Sequence, residues 1–284
     1  MLSYVKLTDM EVLPDIDQNF VKGEIDDDKE WVYFGVISRY SPHILYKGYQ
    51  PIMDYLNEVT PYHFELRLSS SYDETVQQLD NGNVDIAFLG SYIYARDRKK
   101  YKLKCIMKPL NTEGKPTSRS VLITTDSSSN YSLMDLKNKS LALPSTESFS
   151  ANWLSHVEFS RNNLKTDDFK RIEYFSFHQN VIEQVLMGHF DAGVVKERVV
   201  QDYINKGIRI IQLSDPIPGS PIVVSNKSDK MMMKEVMEAF LKIDPSQKKD
   251  SLLLADWDLE FHYGFTSALD SEYDNLELMV RETK

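Results

Sequence analysis

Short apolar runs alternate with stretches of helical periodicity along most of the chain, and this pattern predicts its elements. Runs typical of buried strands, rich in β-branched and aromatic residues, lie at 31–37, 64–68, 84–89, 120–124, 140–143, 172–175, 190–195, 208–213 and 222–224. Helical segments lie at 49–56, 73–79, 151–161, 180–187, 197–205, 231–243 and 246–256, with a helical turn at 133–136. Strands that alternate with helices in this way predict an α/β fold with parallel sheets.

The alternation occurs in two halves of similar construction. At both 79–87 and 186–193 a helix ends, a glycine follows, and an apolar strand carrying one aspartate begins. We therefore predict two similar lobes with a ligand cleft between them. Ligands in such folds bind beyond the carboxyl ends of the strands.

Composition supports a folded protein without disulfide bonds. The 284 residues are 42% hydrophobic and 11% aromatic, which is enough to form a core and excludes intrinsic disorder. Cys105 is the single cysteine, so no intrachain disulfide can form. Its place in the apolar run 103–107 favours a buried, small hydrophobic role.

The net charge of -10 is unevenly distributed along the chain. Residues 1–30 sum to -6 and residues 250–284 to -7, whereas 31–249 sum to +3. An acidic chain is a poor bulk electrostatic partner for nucleic acid, so we predict no nucleic-acid partner. The acidic residues 1–30 are predicted to form an irregular lead-in.

Several function classes lack their sequence signatures. No run of 18 apolar residues predicts a membrane span, and no basic-then-apolar N-terminus predicts a signal peptide. A mature chain or an excised domain would look the same. No dinucleotide, nucleophile-elbow or zinc motif occurs, and the six histidines lack metal-ligand spacing, so we predict neither a cofactor nor a metal site.

The polar loop 145–150 between a strand and a helix is the strongest candidate for chemistry. Ser145, Thr146 and Ser148 can donate to an anion there, beside the free N–H groups at the start of the helix. Ordinary N-capping would give the same pattern. His178 precedes a predicted helix and would by itself also fit a surface or capping role.

Six pieces occur in the order seen in a known family. They are Ser71-Tyr72-Asp73-Glu74, Gly90-Ser91-Tyr92-Ile93-Tyr94, the loop 143–149, Ser176-Phe177-His178, Phe190-Asp191-Ala192-Gly193-Val194 and the proline-rich return 217–223. Over about 31–265 the chain resembles the extracytoplasmic solute-binding proteins of phosphate, phosphite and phosphonate ABC transporters. This family has the two-lobed type II periplasmic-binding fold.

The resemblance implies a domain arrangement and a site. Lobe one would be 31–116 plus 227–284 and lobe two 117–226, closing by hinge bending on a small, anionic ligand. The ligand-binding residues would be Tyr72, Ser91, Tyr94, Ser145, Thr146, Ser148 and His178. Thr146 and Ser148, with backbone N–H groups at the helix start, would hold the anion. The residues closing around it from both lobes would be Tyr72, Ser91, Tyr94 and His178.

The chain also departs from the family pattern. Leu143, Glu147 and Phe149 stand where the family has an aspartate, a second hydroxyl and a glycine. A carboxylate in an anion loop repels an anion unless it points away. The acidic residues that bind an aminoalkyl group in the family have no clear match, although Glu197 lies near one such place.

Three uses of such a module fit the sequence. It can deliver ligand to an ABC permease, or it can be the extracytoplasmic sensor domain of a membrane receptor such as a histidine kinase. The acidic lead-in and the ending at residue 284 favour a sensor domain slightly. A hydrolase is a remote alternative, because His178 has no sequence-evident partner. We therefore predict an extracytoplasmic binding protein and not an enzyme.

Overall fold

The computed structural model describes residues 29–282, with side chains up to residue 279. The predicted acidic lead-in lies outside the described residues, apart from Lys29 and Glu30. Within the described part, strands and helices alternate as predicted, and the α/β class is confirmed.

The elements are as follows. The strands are β1 (Glu30–Val36), β2 (Tyr62–Leu68), β3 (Ile86–Phe88), β4 (Leu103–Pro109), β5 (Thr117–Ser118), β6 (Ser120–Thr125), β7 (Ser140–Leu143), β8 (Arg171–Tyr174), β9 (Ala192–Lys196), β10 (Ile208–Leu213), β11 (Ile217–Pro218), β12 (Ile222–Ser225) and β13 (Phe265–Ser267). The α-helices are α1 (Pro42–Val59), α2 (Tyr72–Asn81), α3 (Ser91–Asp97), α4 (Phe149–Asn152), α5 (Phe159–Arg161), α6 (His178–Leu186), α7 (Glu197–Val200), α8 (Lys230–Leu241), α9 (Lys248–Leu254) and α10 (Asp274–Glu282). A π-helix, Trp153–Glu158, joins α4 to α5, and 3-10 turns lie at Leu133–Leu136, Thr166–Asp168, Gln201–Tyr203, Leu259–Phe261 and Asp270–Tyr273.

Two sheets form the cores of two lobes. The first has the order β13-β4-β12-β3-β1-β2, in which β1 runs parallel to both β2 and β3. The second has the order β10-β6-β9-β7-β8, with β7 parallel to β8 and β9. The parallel strands point their carboxyl ends toward the space between the lobes, where ligands bind in such folds.

The two chain crossings between the lobes pair with each other. Strand β5 on the outward crossing pairs antiparallel with β11 on the return, which makes a two-stranded connection. The return crossing lies earlier than the expected boundary at 226, because β12 pairs with β3 and β4 of the first sheet. The proline-rich segment is thus the crossing itself, and lobe two ends before β12.

Local sequence signals account for several element boundaries. Gly82 ends α2 in the left-handed conformation, with φ of 77°, as its position after the predicted helix indicates. Gly193 on β9 lies so close to α6 that an added Cβ would be 2.6 Å from Val181 Cγ1. This glycine lets the helix pack tightly onto the second sheet.

The sequence pattern missed elements near the edges of the first sheet. Strand β4 contains Cys105, which is buried as predicted, but the strand itself was not predicted. Helix α1 begins at Pro42, well before residue 49, because proline is tolerated in the first turn. Strand β13 and helix α10 in the acidic C-terminal part were also not predicted.

Candidate functional site

A small cavity of about 50 Å³ lies between the two lobes. Lobe one and lobe two both supply its walls, and the crossing strands supply its floor. The lining residues are Ile37, Arg39, Tyr72, Gly90, Ser91, Tyr92, Ser118, Arg119, Ser120, Glu147, Ser148, Phe149, Ser150, His178, Lys196, Ile217 and Ser220. This cavity therefore lies in the predicted inter-lobe cleft, and the two lobes are close together around it.

The hydroxyl loop contributes the start of a helix to this cavity. Ser148 is the N-cap of α4, and its Oγ accepts a hydrogen bond of 3.2 Å from the backbone N–H of Ser150. Both serines are buried and line the cavity. Helical structure continues without a break from 149 to 161, so the positive end of this helical segment faces the cleft.

Four of the seven predicted site residues line the cavity. They are Tyr72, Ser91, Ser148 and His178. The Ser91 hydroxyl donates to the carbonyl of Pro218 at 2.7 Å, which ties helix α3 to the returning crossing. Tyr72 is buried, and burial raises the pKa of its phenol, so the group stays protonated and can donate.

Tyr94 is not in the cavity, contrary to the prediction. It is fully buried in lobe one, where its hydroxyl donates to Asp270 and accepts from the backbone N–H of Cys105 at 3.0 Å. Its ring packs edge-on against Tyr273, with ring centroids 4.8 Å apart. The neighbouring Tyr92 lines the cleft instead, so Tyr94 anchors helix α3 to the core.

Thr146 and Ser145 also lie away from the cavity. Thr146 is exposed, and its carbonyl accepts from the Asn152 side chain at 2.7 Å. Ser145 Oγ accepts the backbone N–H of Glu147 at 3.2 Å and lines a neighbouring surface groove. Ser145 and Thr146 therefore contribute to the conformation of the loop, whereas Ser148 and Ser150 line the cavity.

His178 is a neutral hydrogen-bond donor at the start of α6. Its Nδ1 accepts the backbone N–H of Lys196 at 3.2 Å, so in the neutral ring the proton is on Nε2. Nε2 lies 3.3 Å from Ser148 Oγ. Burial, assisted by Lys196 and Arg39, lowers the pKa of His178 to about 3. The imidazole thus stays uncharged at physiological pH.

A buried ionic cluster that the sequence prediction missed lies against the same cavity. Arg39, only 3% exposed, contacts Asp258 at 3.1 Å and Glu260 at 3.3 Å, and it also bonds the Tyr49 hydroxyl. Lys196 Nζ lies 2.6 Å from Glu260 and 3.0 Å from Ser220 Oγ. A signal was available, because Arg39 follows β1 closely and Lys196 ends β9, both at carboxyl ends of strands.

Glu147 does not simply point away from the cleft. It reaches from lobe two to lobe one, where it lies beside the carboxyl group of Asp73 and 3.7 Å from Arg96. Burial and the neighbouring Asp73 raise the pKa of Glu147 to about 7. Its charge is therefore reduced at neutral pH, which limits the repulsion of an anion.

Other contacts also join the lobes. Arg198 Nε donates to the carbonyl of Leu259 at 3.0 Å, beside the Lys196–Glu260 ion pair. Among residues 29–282, no group of histidine, cysteine, aspartate and glutamate side chains is arranged to hold a metal ion. Within that same range, no helix has the length and apolarity needed to cross a membrane.

The two lobes, the paired crossings and the polar cavity define a two-lobed substrate-binding protein of the periplasmic type. A family model described as the periplasmic substrate-binding protein of phosphonate ABC transporters matches residues 34–273. The chain belongs to this family, as the sequence resemblance predicted. It is therefore an extracytoplasmic component that binds a small-molecule ligand for ABC-type uptake.

Solved structures share the fold. A binding protein component of an ABC phosphonate transporter from Pseudomonas aeruginosa matches with a TM-score of 0.78 and 22% identity, covering 90% of this chain and 88% of that chain. PhnD1 from Prochlorococcus marinus in complex with methylphosphonate matches with a TM-score of 0.78 and 16% identity, covering 89% and 98%. The aliphatic sulphonate binding protein SsuA from Escherichia coli has a TM-score of 0.62 and 15% identity, covering 89% and 86%.

Proposed function

We propose that this protein binds a small anionic phosphonate, or a related oxyanion such as phosphite or phosphate, and delivers it to an ABC permease. The observation that carries the proposal is the cavity at the start of the helical segment 149–161, where hydroxyl, imidazole and cationic donors meet. The Prochlorococcus marinus relative, solved in complex with methylphosphonate, supports the same ligand class here.

The donors suit a tetrahedral anion. Ser148 and Ser150 offer hydroxyls beside the positive end of the helical segment, and His178 offers Nε2–H from the same lobe. Tyr72 faces them from lobe one, beside Ser91, whose hydroxyl donates to the carbonyl of Pro218. An oxyanion held in this way would bridge the lobes and stabilise the closed state.

The cavity volume favours a ligand with few atoms. One water occupies about 10–15 Å³ of such volume, so 50 Å³ accommodates about as many atoms as a phosphate or a methylphosphonate. A ligand with a long substituent would require the lobes to remain further apart. We therefore propose a compact ligand for the closed form.

The hydrogen bonding of His178 argues against a hydrolase. Ser148 Oγ lies near Nε2, as a serine nucleophile would lie near its base. However, Nδ1 faces the backbone N–H of Lys196 where a triad has a carboxylate. With its pKa lowered to about 3, the imidazole is too weak a base to take a proton from serine. This supports binding without turnover, and family membership favours uptake over sensing.

Calorimetry tests this proposal. We expect the protein to bind methylphosphonate, phosphite or phosphate at one site without releasing product. Ser148→Ala should weaken binding about tenfold or more, because a charge-assisted hydrogen bond contributes about 1.5–3 kcal/mol. Thr146→Ala in the same loop is the matched control, since its side chain is exposed, and it should bind like the wild type.

Two results would contradict the proposal. One is the absence of any heat and of any rise in melting temperature with all three oxyanions. The other is equal loss of affinity in Ser148→Ala and Thr146→Ala. Because Ser148 also caps a helix, urea unfolding of each variant should be measured without ligand to separate stability from affinity.

A further inference from the structure

Four charged side chains form one buried cluster across the cleft. Lys196 comes from lobe two, whereas Arg39, Asp258 and Glu260 come from lobe one. All four are buried or nearly so, with side-chain exposures of 15%, 3%, 6% and 7% respectively. Two cations thus balance two carboxylates, and the cluster is neutral as a whole.

The cations of this cluster retain unused donors. The Nε–H of Arg39 is buried and has no hydrogen-bond partner among the described residues. Lys196 Nζ has three hydrogens and bonds Glu260 and Ser220. Both side chains line the inter-lobe cavity. A buried donor without an acceptor is costly, so an acceptor in the cavity would satisfy it.

Glu260 already pairs with the two cations that an anion in the cavity would meet. Its carboxylate lies 2.6 Å from Lys196 Nζ and 3.3 Å from Arg39 Nη1. Burial would raise the pKa of Glu260, but Lys196 and Arg39 hold it below its usual value, so the group stays charged. Any anion in the cavity therefore meets two cations already neutralised by a resident carboxylate.

We propose that Glu260 is the resident counter-anion of the cleft and sets the affinity of the site by competing with the ligand for Lys196 and Arg39. This proposal rests on the proposed function, since it requires an anionic ligand. A different role for the same contact is a simple latch, in which the Lys196–Glu260 pair only holds the lobes together. The two roles predict opposite effects when the Glu260 charge is removed.

The test is the affinity of Glu260→Gln for methylphosphonate, measured by calorimetry at one pH and one salt concentration. Because the substitution removes a negative charge beside the ligand and leaves Lys196 unneutralised, we expect binding about fivefold tighter or more. A latch predicts weaker binding. The matched control is Asp256→Asn, which removes the same charge from an exposed position on the same segment and should leave the affinity unchanged.

A second pair of variants keeps the test decisive if Glu260→Gln folds poorly. In the Lys196→Met background the ion pair is already absent, so a latch predicts that adding Glu260→Gln changes nothing. Competition predicts that Lys196→Met/Glu260→Gln binds methylphosphonate more tightly than Lys196→Met alone. Weaker or unchanged binding in both comparisons would overturn the inference.

The wild-type measurement separates this inference from the proposed function. If the wild type binds no oxyanion, both fall. If the wild type binds methylphosphonate but removal of Glu260 fails to tighten binding, only the role of Glu260 is overturned. Urea unfolding of each variant without ligand shows whether an affinity change comes from a damaged fold.

Discussion

The carboxyl pair Asp73 and Glu147 should make lobe closure depend on pH. Asp73 belongs to helix α2 of lobe one and Glu147 to the hydroxyl loop of lobe two, so the pair forms when the lobes close. Arg96 bonds Asp73 and lies 3.7 Å from Glu147. Burial and Asp73 raise the pKa of Glu147 to about 7 from its ordinary value of 4.5.

The sign and the magnitude follow from this shift. When the lobes open, Glu147 leaves Asp73 and its pKa returns toward the ordinary value, so closure takes up a proton. Protonation therefore favours the closed form below about pH 4.5, and this contribution is lost as the pH rises through 7. A shift of this size corresponds to about 3 kcal/mol at full strength, which solvent screening reduces to about 1–2 kcal/mol.

Calorimetry at pH 5, 6, 7 and 8 measures the effect. We expect wild-type affinity for methylphosphonate to fall about tenfold more than that of Glu147→Gln across this range. The ligand itself titrates in both proteins, so the difference between them isolates Glu147. Asp73→Asn should flatten the dependence as well, because it removes the neighbouring carboxylate. Equal pH slopes in the wild type and Glu147→Gln would refute the reasoning.

Three further predictions follow from single side chains. Tyr94→Phe should lower the free energy of unfolding by about 1 kcal/mol, because Asp270 loses a donor, and should leave calorimetric affinity unchanged; a loss of affinity would place Tyr94 in the site after all. Gly193→Ala should destabilise the fold by about 1–3 kcal/mol in urea titrations, since its Cβ would be 2.6 Å from Val181 Cγ1; an unchanged midpoint would contradict this packing. The wild type should lose stability more steeply than His178→Gln as pH falls from 6.5 toward 3. Over this range the unfolded chain protonates His178 whereas the folded protein keeps it neutral, so lowering the pH favours unfolding. Parallel pH curves would count against a buried neutral imidazole.

The fold was predictable because its signals are local. Apolar runs, helix periodicity and the glycine after each helix lie within short windows, and they predicted most of the strands of both sheets, although β4 and β13 were missed. The lobe boundary was set too late because β12 pairs with strands more than a hundred residues earlier. An apolar run predicts a strand, but it does not indicate which sheet the strand joins.

The site was predictable only in part, for a related reason. The hydroxyl loop can be recognised from its run of serine and threonine residues, and Ser148 of this loop lines the inter-lobe cavity as predicted. Tyr94 carried the same family resemblance as Ser91, but its hydroxyl turns to Asp270, which lies 176 residues further along the chain. Arg39 and Glu260 likewise meet only in the folded protein, so the spacing between them carries no signal.

The net charge of -10 says little about the cleft, because the cleft is balanced locally. Lys196 and Arg39 bring two positive charges to the cavity, and Asp258 and Glu260 cancel them at 2.6–3.3 Å. Because the dominant charges are paired, we expect the neutral donors of the buried cavity to contribute more to ligand binding. These donors are the hydroxyls, His178 Nε2–H and the start of the helical segment. Such donors act by orientation, so the anion binding that we propose does not depend on the overall charge of the protein.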